Sequence, residues 1–218
     1  MDETRFHRQL DLVRPEALRI PVTVIGCGGI GSFAVLALAK MGCSTITVFD
    51  DDTVENHNLP NQYFKVADVG RSKVEALKDI VREFTDVEIT ALNEKFKGQP
   101  LPGGIVISAV DSMDTRQAIW LRVKYNPTIS LYLDGRFGAE VLRLYSINPL
   151  DIDDIRLYEG SLYPSSETLP VRCTAKSVMY TVLAVSAFIS GQVKKHCMGE
   201  SYLKEITCDL KLTHLMGL

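Results

Sequence analysis

Val22-Thr23-Val24-Ile25-Gly26-Cys27-Gly28-Gly29-Ile30-Gly31-Ser32 (VTVIGCGGIGS) decides the fold of this 218-residue chain. The apolar, β-branched run predicts a strand over Val22–Ile25. The glycines at 26, 28, 29 and 31 predict a tight turn, and the following IGSFAVLALAKMG predicts a helix that stops at Gly42. Strand, glycine turn and helix in that order leave backbone N–H groups uncovered at the positive end of a helix dipole, where a phosphate binds. The glycines alone do not choose the nucleotide, because dehydrogenases, flavoproteins and nucleotidyl-transferring enzymes share them. Close strand–helix packing without a ligand is the alternative use of the same residues.

Downstream, a second β-like run, Thr45–Phe49, ends in Asp50, about twenty residues beyond the turn, where a carboxylate can accept from both ribose hydroxyls. A solvated strand-end acid is the competing role. Asp50-Asp51-Asp52-Thr53-Val54-Glu55 then places four acids in six positions, with Asn58 after them. A dehydrogenase has no need of that cluster, so the run argues against NAD.

Further on, apolar runs alternate with helix-period segments, as in β-α-β units around a parallel sheet. The expected elements are a helix near Phe6–Leu12 in an N-terminal helical arm (residues 1–20), a helix from Ser72 to about Phe84, strands over Val87–Leu92 and Ile105–Ser108, and a helix from Met113 to about Lys124. Two alternating runs, Thr128–Asp134 and Glu140–Ile147, read as an antiparallel hairpin joined by Gly135-Arg136-Phe137-Gly138. Residues 148–174 carry Pro, Asp, Ser and Tyr without a period and read as a functional crossover loop. An apolar helix over Ala175–Lys194 and a last strand near Ile206–Leu212 follow. The fold class is therefore α/β. The sheet is Rossmann-like and mixed, parallel in its N-terminal half and antiparallel in its C-terminal half, with helices on both faces in one domain spanning 1–218.

A composition of 46% apolar and 23% charged residues is globular, and a net charge of −3 exerts no general pull toward nucleic acid or membrane. MDETRFHRQL lacks the apolar core of a signal peptide, and the longest apolar segment, Val178–Ile189, is too short to span a bilayer, so a cytoplasmic location is expected. The five cysteines, at 27, 43, 173, 197 and 208, form no C-x-x-C pair, so no structural zinc is expected.

The acid-rich run resembles the D-x-D-x-V-x-x-x-N-L-x-R-Q signature of the ThiF/MoeB/HesA family, adenylating enzymes that activate ubiquitin-like and sulfur-carrier proteins. Asp50, Asp52, Val54, Asn58, Leu59 and Gln62 match in order. Arg5-Phe6-His7-Arg8-Gln9 resembles the family's R-[FY]-x-R-Q, Val69-Gly70-Arg71-Ser72-Lys73 its V-G-x-x-K, and Asp111-Ser112 through Arg116 its D-[NS]-x-x-x-R. The resemblance implies an adenylyltransferase acting as a homodimer. With ATP and Mg²⁺ it would join the C-terminal glycine carboxylate of a small ubiquitin-like or sulfur-carrier protein to the α-phosphate, expelling pyrophosphate.

At matched positions the resemblance implies Gly26, Gly28, Gly29 and Gly31 against the nucleotide, Asp50 on the ribose with Asp52 beside it, and Asn58 and Lys73 on the phosphates. Asp111 would hold Mg²⁺, and Arg8 would cross a dimer interface as an arginine finger. Each has a plainer role: a turn asparagine at Asn58, an exposed first-turn lysine at Lys73, a helix cap at Asp111, a basic residue on an amphipathic helix at Arg8. Arg116 reads as structural, bridging back to an acid. Cys173, beside Arg172 and Lys176 and ahead of an apolar helix, resembles the position where some members carry an acyl- or sulfur-accepting cysteine and others an inert one. A thiolate is favoured in such surroundings. Cys27 lies inside the glycine turn, facing the core or the nucleotide, and Cys43, Cys197 and Cys208 read as small apolar fillers.

One position departs from the signature: Asn61 stands where the family has arginine. Asparagine donates hydrogen bonds without charge, so two readings stay open: compensation by Lys65 or Arg71, or a catalytically weak homologue that serves as a regulatory or heterodimer subunit. Activation of a carboxylate on a modified tRNA base is a further alternative. If the gap is uncompensated, Asn61→Arg raises ATP–pyrophosphate exchange by about tenfold or more, on the scale of one lost charged donor. An unchanged or lower rate rejects an uncompensated gap.

Overall fold

The computed structural model describes residues 3–163 and 178–218. Strands β1 (Val22–Ile25), β2 (Ile46–Phe49), β3 (Thr90–Leu92), β4 (Gly104–Ser108) and β5 (Ile129–Gly138) run parallel, while β6 (Val141–Ile147), β7 (Glu205–Asp209) and β8 (His214–Gly217) pair antiparallel. Together they form one mixed sheet in the order β3-β2-β1-β4-β5-β6-β7-β8. All of Val22, Thr23, Val24 and Ile25 are buried, because a central parallel strand is covered on both faces. Alternation appears where the sheet turns antiparallel: Leu142 and Leu144 are buried, while Val141 and Arg143 are exposed.

The pleat sorts the core into two layers. Ile105, Ile107, Leu131 and Leu133 face helices α1 (Gly29–Met41), α2 (Lys73–Thr85) and α5 (Met179–Cys197). Val106, Tyr132 and Tyr145 face α3 (Met113–Val123) and α4 (Ile152–Glu159). Helices therefore cover both faces, and among the described residues none is long and apolar enough to cross a membrane.

The chain leaves β1 toward β2 and β3 on one side and returns to β4 on the other. Strand order reverses between β1 and β4, which opens a crevice above their carboxyl ends. Register holds the two ends level: Ile25 pairs with Ser108, and the Ala109 N–H donates to Ile25 O at 2.8 Å.

Four expectations are corrected. The N-terminal arm carries two 3₁₀ turns, Glu3–Phe6 and Pro15–Arg19, instead of an α-helix over Phe6–Leu12, and it docks through buried Phe6 and Leu18. The hairpin turn lies at Ala139–Glu140, with Ala139 at φ 52°, because β5 continues through Gly138. The crossover region contains α4, started by Asp151, whose Oδ1 accepts from the Asp153 and Asp154 N–H groups at 2.9 and 3.1 Å. The fourth is β8, an edge strand with no counterpart in the sequence reading. Residues 164–177, and with them Cys173, lie outside the described residues.

Gly26 has φ +97°, and a Cβ there would lie 2.6 Å from Ala109 O. Gly26→Ala is expected to cost about 2–4 kcal/mol in chemical denaturation through strain and overpacking. Gly138→Ala, with no neighbour within 4 Å, serves as the control and should stay within about 0.5 kcal/mol of wild type.

Candidate functional site

The turn after β1 is built around a close approach: a Cβ at Gly31 would sit 1.8 Å from Gly26 O. Gly28 faces open space, the nearest atom to a Cβ placed there being Gln62 Nε2 at 3.9 Å. Gly29 is walled by Val182, the Asn61 carbonyl and Phe137, at 2.9, 3.2 and 3.6 Å from such a Cβ. Backbone at the start of α1 is thus bare at Gly28 and flanked at Gly29.

Asp50, just beyond β2, ties this turn to the next strand. Its Oδ2 accepts the Cys27 N–H at 2.6 Å and its Oδ1 the Asp52 N–H at 2.9 Å. Each oxygen keeps a further lone pair for an outside donor. Burial pushes the Asp50 carboxyl above its ordinary value, opposed by those two amides and by the Lys73 charge. The Cys27 side chain faces the core, where burial and the Asp50 charge push the thiol well up, so it is no nucleophile.

Lys73 opens α2 with its side chain only 7% exposed, and its Nζ reaches Asp52 Oδ2 at 2.7 Å. A cation at a helix N-terminus meets the unfavourable end of the dipole, and Asp52 offsets that cost. Backbone pairing sets the contact: the Lys73 N–H donates to Asp52 O at 3.0 Å, beside a Thr53–Ser72 bridge. Asn58 is buried and caps its own turn, Oδ1 accepting the Glu55 N–H at 2.8 Å. Neither cation suggested as a substitute at Asn61 is disengaged. Lys65 pairs with Glu83, and Arg71 with Asp68 and Asp79 at 2.9 and 2.5 Å.

After β4, Asp111 is exposed, and among the described residues no hydrogen bond or ion pair engages its carboxylate. The cap of α3 is Ser112, whose Oγ accepts the Thr115 N–H at 3.4 Å. Arg116 is buried, with Nε on Asp134 Oδ1 at 2.8 Å and Nη2 on Val110 O at 2.6 Å. Asp134 Oδ2 also accepts from Arg136 Nε at 2.7 Å and Tyr158 OH at 3.0 Å. The sequence reading passed over Asp134 and Arg136. An acid and an arginine closing the apolar run Leu131-Tyr132-Leu133 were the available signal.

The glycine turn, Asp50, Asp52, Lys73 and Asp111 therefore share the carboxyl edge of β2, β1 and β4. Arg8 does not join them. It is exposed on the arm, which docks at the far end of α1, where Gln9 Nε2 donates to Met41 O at 2.6 Å. The thirteen residues of α1 separate that end from the glycine turn by about 20 Å.

The profile of the ThiF family matches residues 13–193. The chain belongs to the ThiF family. It is 34% identical over 131 residues to the sulfur carrier protein ThiS adenylyltransferase of Escherichia coli (strain K12), covering 54% of this chain and 52% of that protein. It is 32% identical over 118 residues to ubiquitin-like modifier-activating enzyme 5 of Dictyostelium discoideum, covering 46% and 31%. The chain thus spans about half, or less, of the length of these curated relatives. In fold it is similar to E. coli MccB, solved with AMPCPP and MccA, at TM-score 0.77 and 19% identity over 100% of this chain and 71% of that one.

In this ThiF-family chain Asp52 is the acid paired with the buried Lys73 ammonium. Asp52→Asn leaves a buried ammonium without its charge partner and should lower stability by about 1–2 kcal/mol, discounted because Asp52 is 66% exposed. Saturating ATP and Mg²⁺ should then raise the melting temperature of Asp52→Asn more than that of wild type, since phosphate restores the partner. An equal or smaller ligand shift in thermal denaturation counts against phosphate at Lys73.

Proposed function

We propose that this ThiF-family chain, working in the cytoplasm, uses ATP and Mg²⁺ to adenylate the C-terminal glycine carboxylate of a small ubiquitin-like or sulfur-carrier protein. The observation that carries the proposal is the shared edge. Bare backbone at Gly28, a doubly anchored carboxylate at Asp50 and an unengaged one at Asp111 flank the crevice where strand order reverses. The relatives named for ThiS adenylylation and ubiquitin-like modifier activation support the same chemistry.

Each group takes a distinct part. The amides at Gly28 and Gly29 receive phosphate at the α1 dipole, and Asp50 accepts from the ribose hydroxyls through its remaining lone pairs. Lys73 exchanges the Asp52 carboxylate for a phosphate oxygen. Within the acidic run, Asp50 is held by amides and Asp52 by Lys73, whereas Asp51 and, after β4, Asp111 have no hydrogen bond or ion pair among the described residues; Asp111, beside the glycine turn, would offer Mg²⁺ a hard oxygen ligand. Held at Asp111, Mg²⁺ would supply positive charge to offset that on the departing pyrophosphate. A carboxylate oxygen of the carrier bonds to the α-phosphorus while the bond from that phosphorus to the α–β bridging oxygen breaks. Arg8, at the far end of its own α1, serves the site of a second copy, which makes the working unit a homodimer and supplies a cation where Asn61 has none. Onward transfer to Cys173 extends the same reading.

The second reading, a regulatory or heterodimer subunit, draws on Asn61 together with the engagement of Lys65 and Arg71 by acids. ATP–pyrophosphate exchange by the purified chain with candidate carrier proteins tests both. Carrier-dependent exchange that chelation of Mg²⁺ abolishes, and that Asp111→Asn lowers by about 10²-fold or more, supports the enzyme. Exchange that appears only after adding an active homologue supports the subunit. Absence of MgATP binding removes both.

A further inference from the structure

We infer that Asp134 is a positioning residue: through Arg116 it orients the peptide that carries Asp111, and through Arg136 it holds the end of α4. Its catalytic meaning rests on the proposed role of Asp111, whereas the coupling itself rests on geometry alone.

Asp134 is wholly buried on β5, opposite Ser108 of β4. Arg116 is 5% and Arg136 16% exposed at the side chain, so two guanidinium groups share one carboxylate and the cluster carries one net positive charge. Burial makes charge costly, but the Asp134 carboxylate beside them keeps both arginines protonated, raised above their ordinary values. A buried ion cluster of this kind is seldom more stable than an apolar replacement, so its use lies in what it orients.

The remaining donors show what that is. Arg116 Nη2 donates to Val110 O at 2.6 Å, the carbonyl of the peptide that begins Asp111. Arg136 Nη1 and Nη2 donate to Ser161 O and Oγ, both at 3.0 Å, and Ser161 Oγ donates to Tyr158 O at 2.6 Å. The Arg136 guanidinium also lies 4.8 Å from the Tyr145 ring centroid. A guanidinium is a rigid plane, so fixing Nε on Asp134 fixes the direction of the opposite nitrogens. Lysine can satisfy the carboxylate or the carbonyl, but its single nitrogen cannot span both. Asp134 is wholly buried; it reaches the Asp111 peptide through Arg116, and α4 through Arg136 and through the Tyr158 hydroxyl that donates to its Oδ2 at 3.0 Å.

The test compares Arg116→Lys and Arg136→Lys in the full chain, because Asp134→Asn risks failing to fold. Hydrogen exchange by mass spectrometry reads residues 109–113 and 160–163, and a Mg²⁺ titration reads binding of a non-hydrolysable ATP analogue. Arg116→Lys should speed exchange at 109–113 and raise the Mg²⁺ midpoint by about tenfold or more, as loss of an outer-shell partner does. Arg136→Lys should speed exchange at 160–163 and leave 109–113 at the wild-type rate. Equal effects of both variants on both segments, or a lowered melting temperature with unchanged exchange at 109–113, overturns the inference. If wild type binds no MgATP the proposed function fails, while the exchange rates still decide whether Asp134 positions the loop.

Discussion

Everything at the site depends on the contact between Gly31 and the Gly26 carbonyl. With a Cβ at 31 the first turn of α1 could not rest on that carbonyl, and the helix would start displaced from β1. Because it rests there, α1 starts directly on β1 beside Ala109 of the loop after β4, and a Cβ at Gly28 would meet only Gln62 Nε2, at 3.9 Å. Gly26 closes the other side of the same contact by lying against Ala109 O, the residue after β4. The loop bearing Asp111 therefore packs directly on the glycine turn, and Arg116 holds the next carbonyl, that of Val110, from behind.

Electrostatics then follow from burial. Asp50 is raised because it is buried, while two amide donors and the Lys73 charge favour its ionised form and the amides fix the direction of its oxygens. Lys73 stands at the wrong end of its helix for a cation and needs an anion nearby. Asp52, being mostly exposed, can supply that anion and can also withdraw. Under the proposed function, a phosphate taking its place would gain both the ammonium and the α2 dipole, which would make Asp52 a replaceable counter-ion.

Much of this is legible in the sequence, for local reasons. β1, β4 and α1 are continuous apolar segments bounded by glycines, and covering both faces of a central strand is what makes such runs readable. The segments that escaped depend on distant partners. Gly135 resembles a turn residue, but it lies within β5, where a Cβ would meet the Ile30 and Ile189 side chains at 3.2 and 3.3 Å. α4 spans two turns with acids at its start, too short for a period to emerge. β8 is exposed along its length, and its pairing with β7 is written in backbone rather than in apolar spacing. Arg116 could be read as bridging to an acid, but which acid required the β4–β5 register to place Asp134 behind it.

Charge accounting sets the terms on which a triphosphate can enter. Lys65 opposes Glu83, Arg71 opposes Asp68 and Asp79, Lys73 opposes Asp52, and Arg116 with Arg136 opposes Asp134. Only the last cluster retains a surplus positive charge, and it is buried behind the loop that bears Asp111. An incoming polyanion therefore gains charge neutralisation in three ways: by displacing Asp52, by bringing a divalent cation to Asp111, or by drawing a cation from another chain. Asn61 adds none, so under the proposed function the chain would lean harder on Mg²⁺ and on a second copy than the family signature with its arginine does. Asp111 and Asp51 are the acids on this edge whose charge no hydrogen bond or ion pair among the described residues takes up.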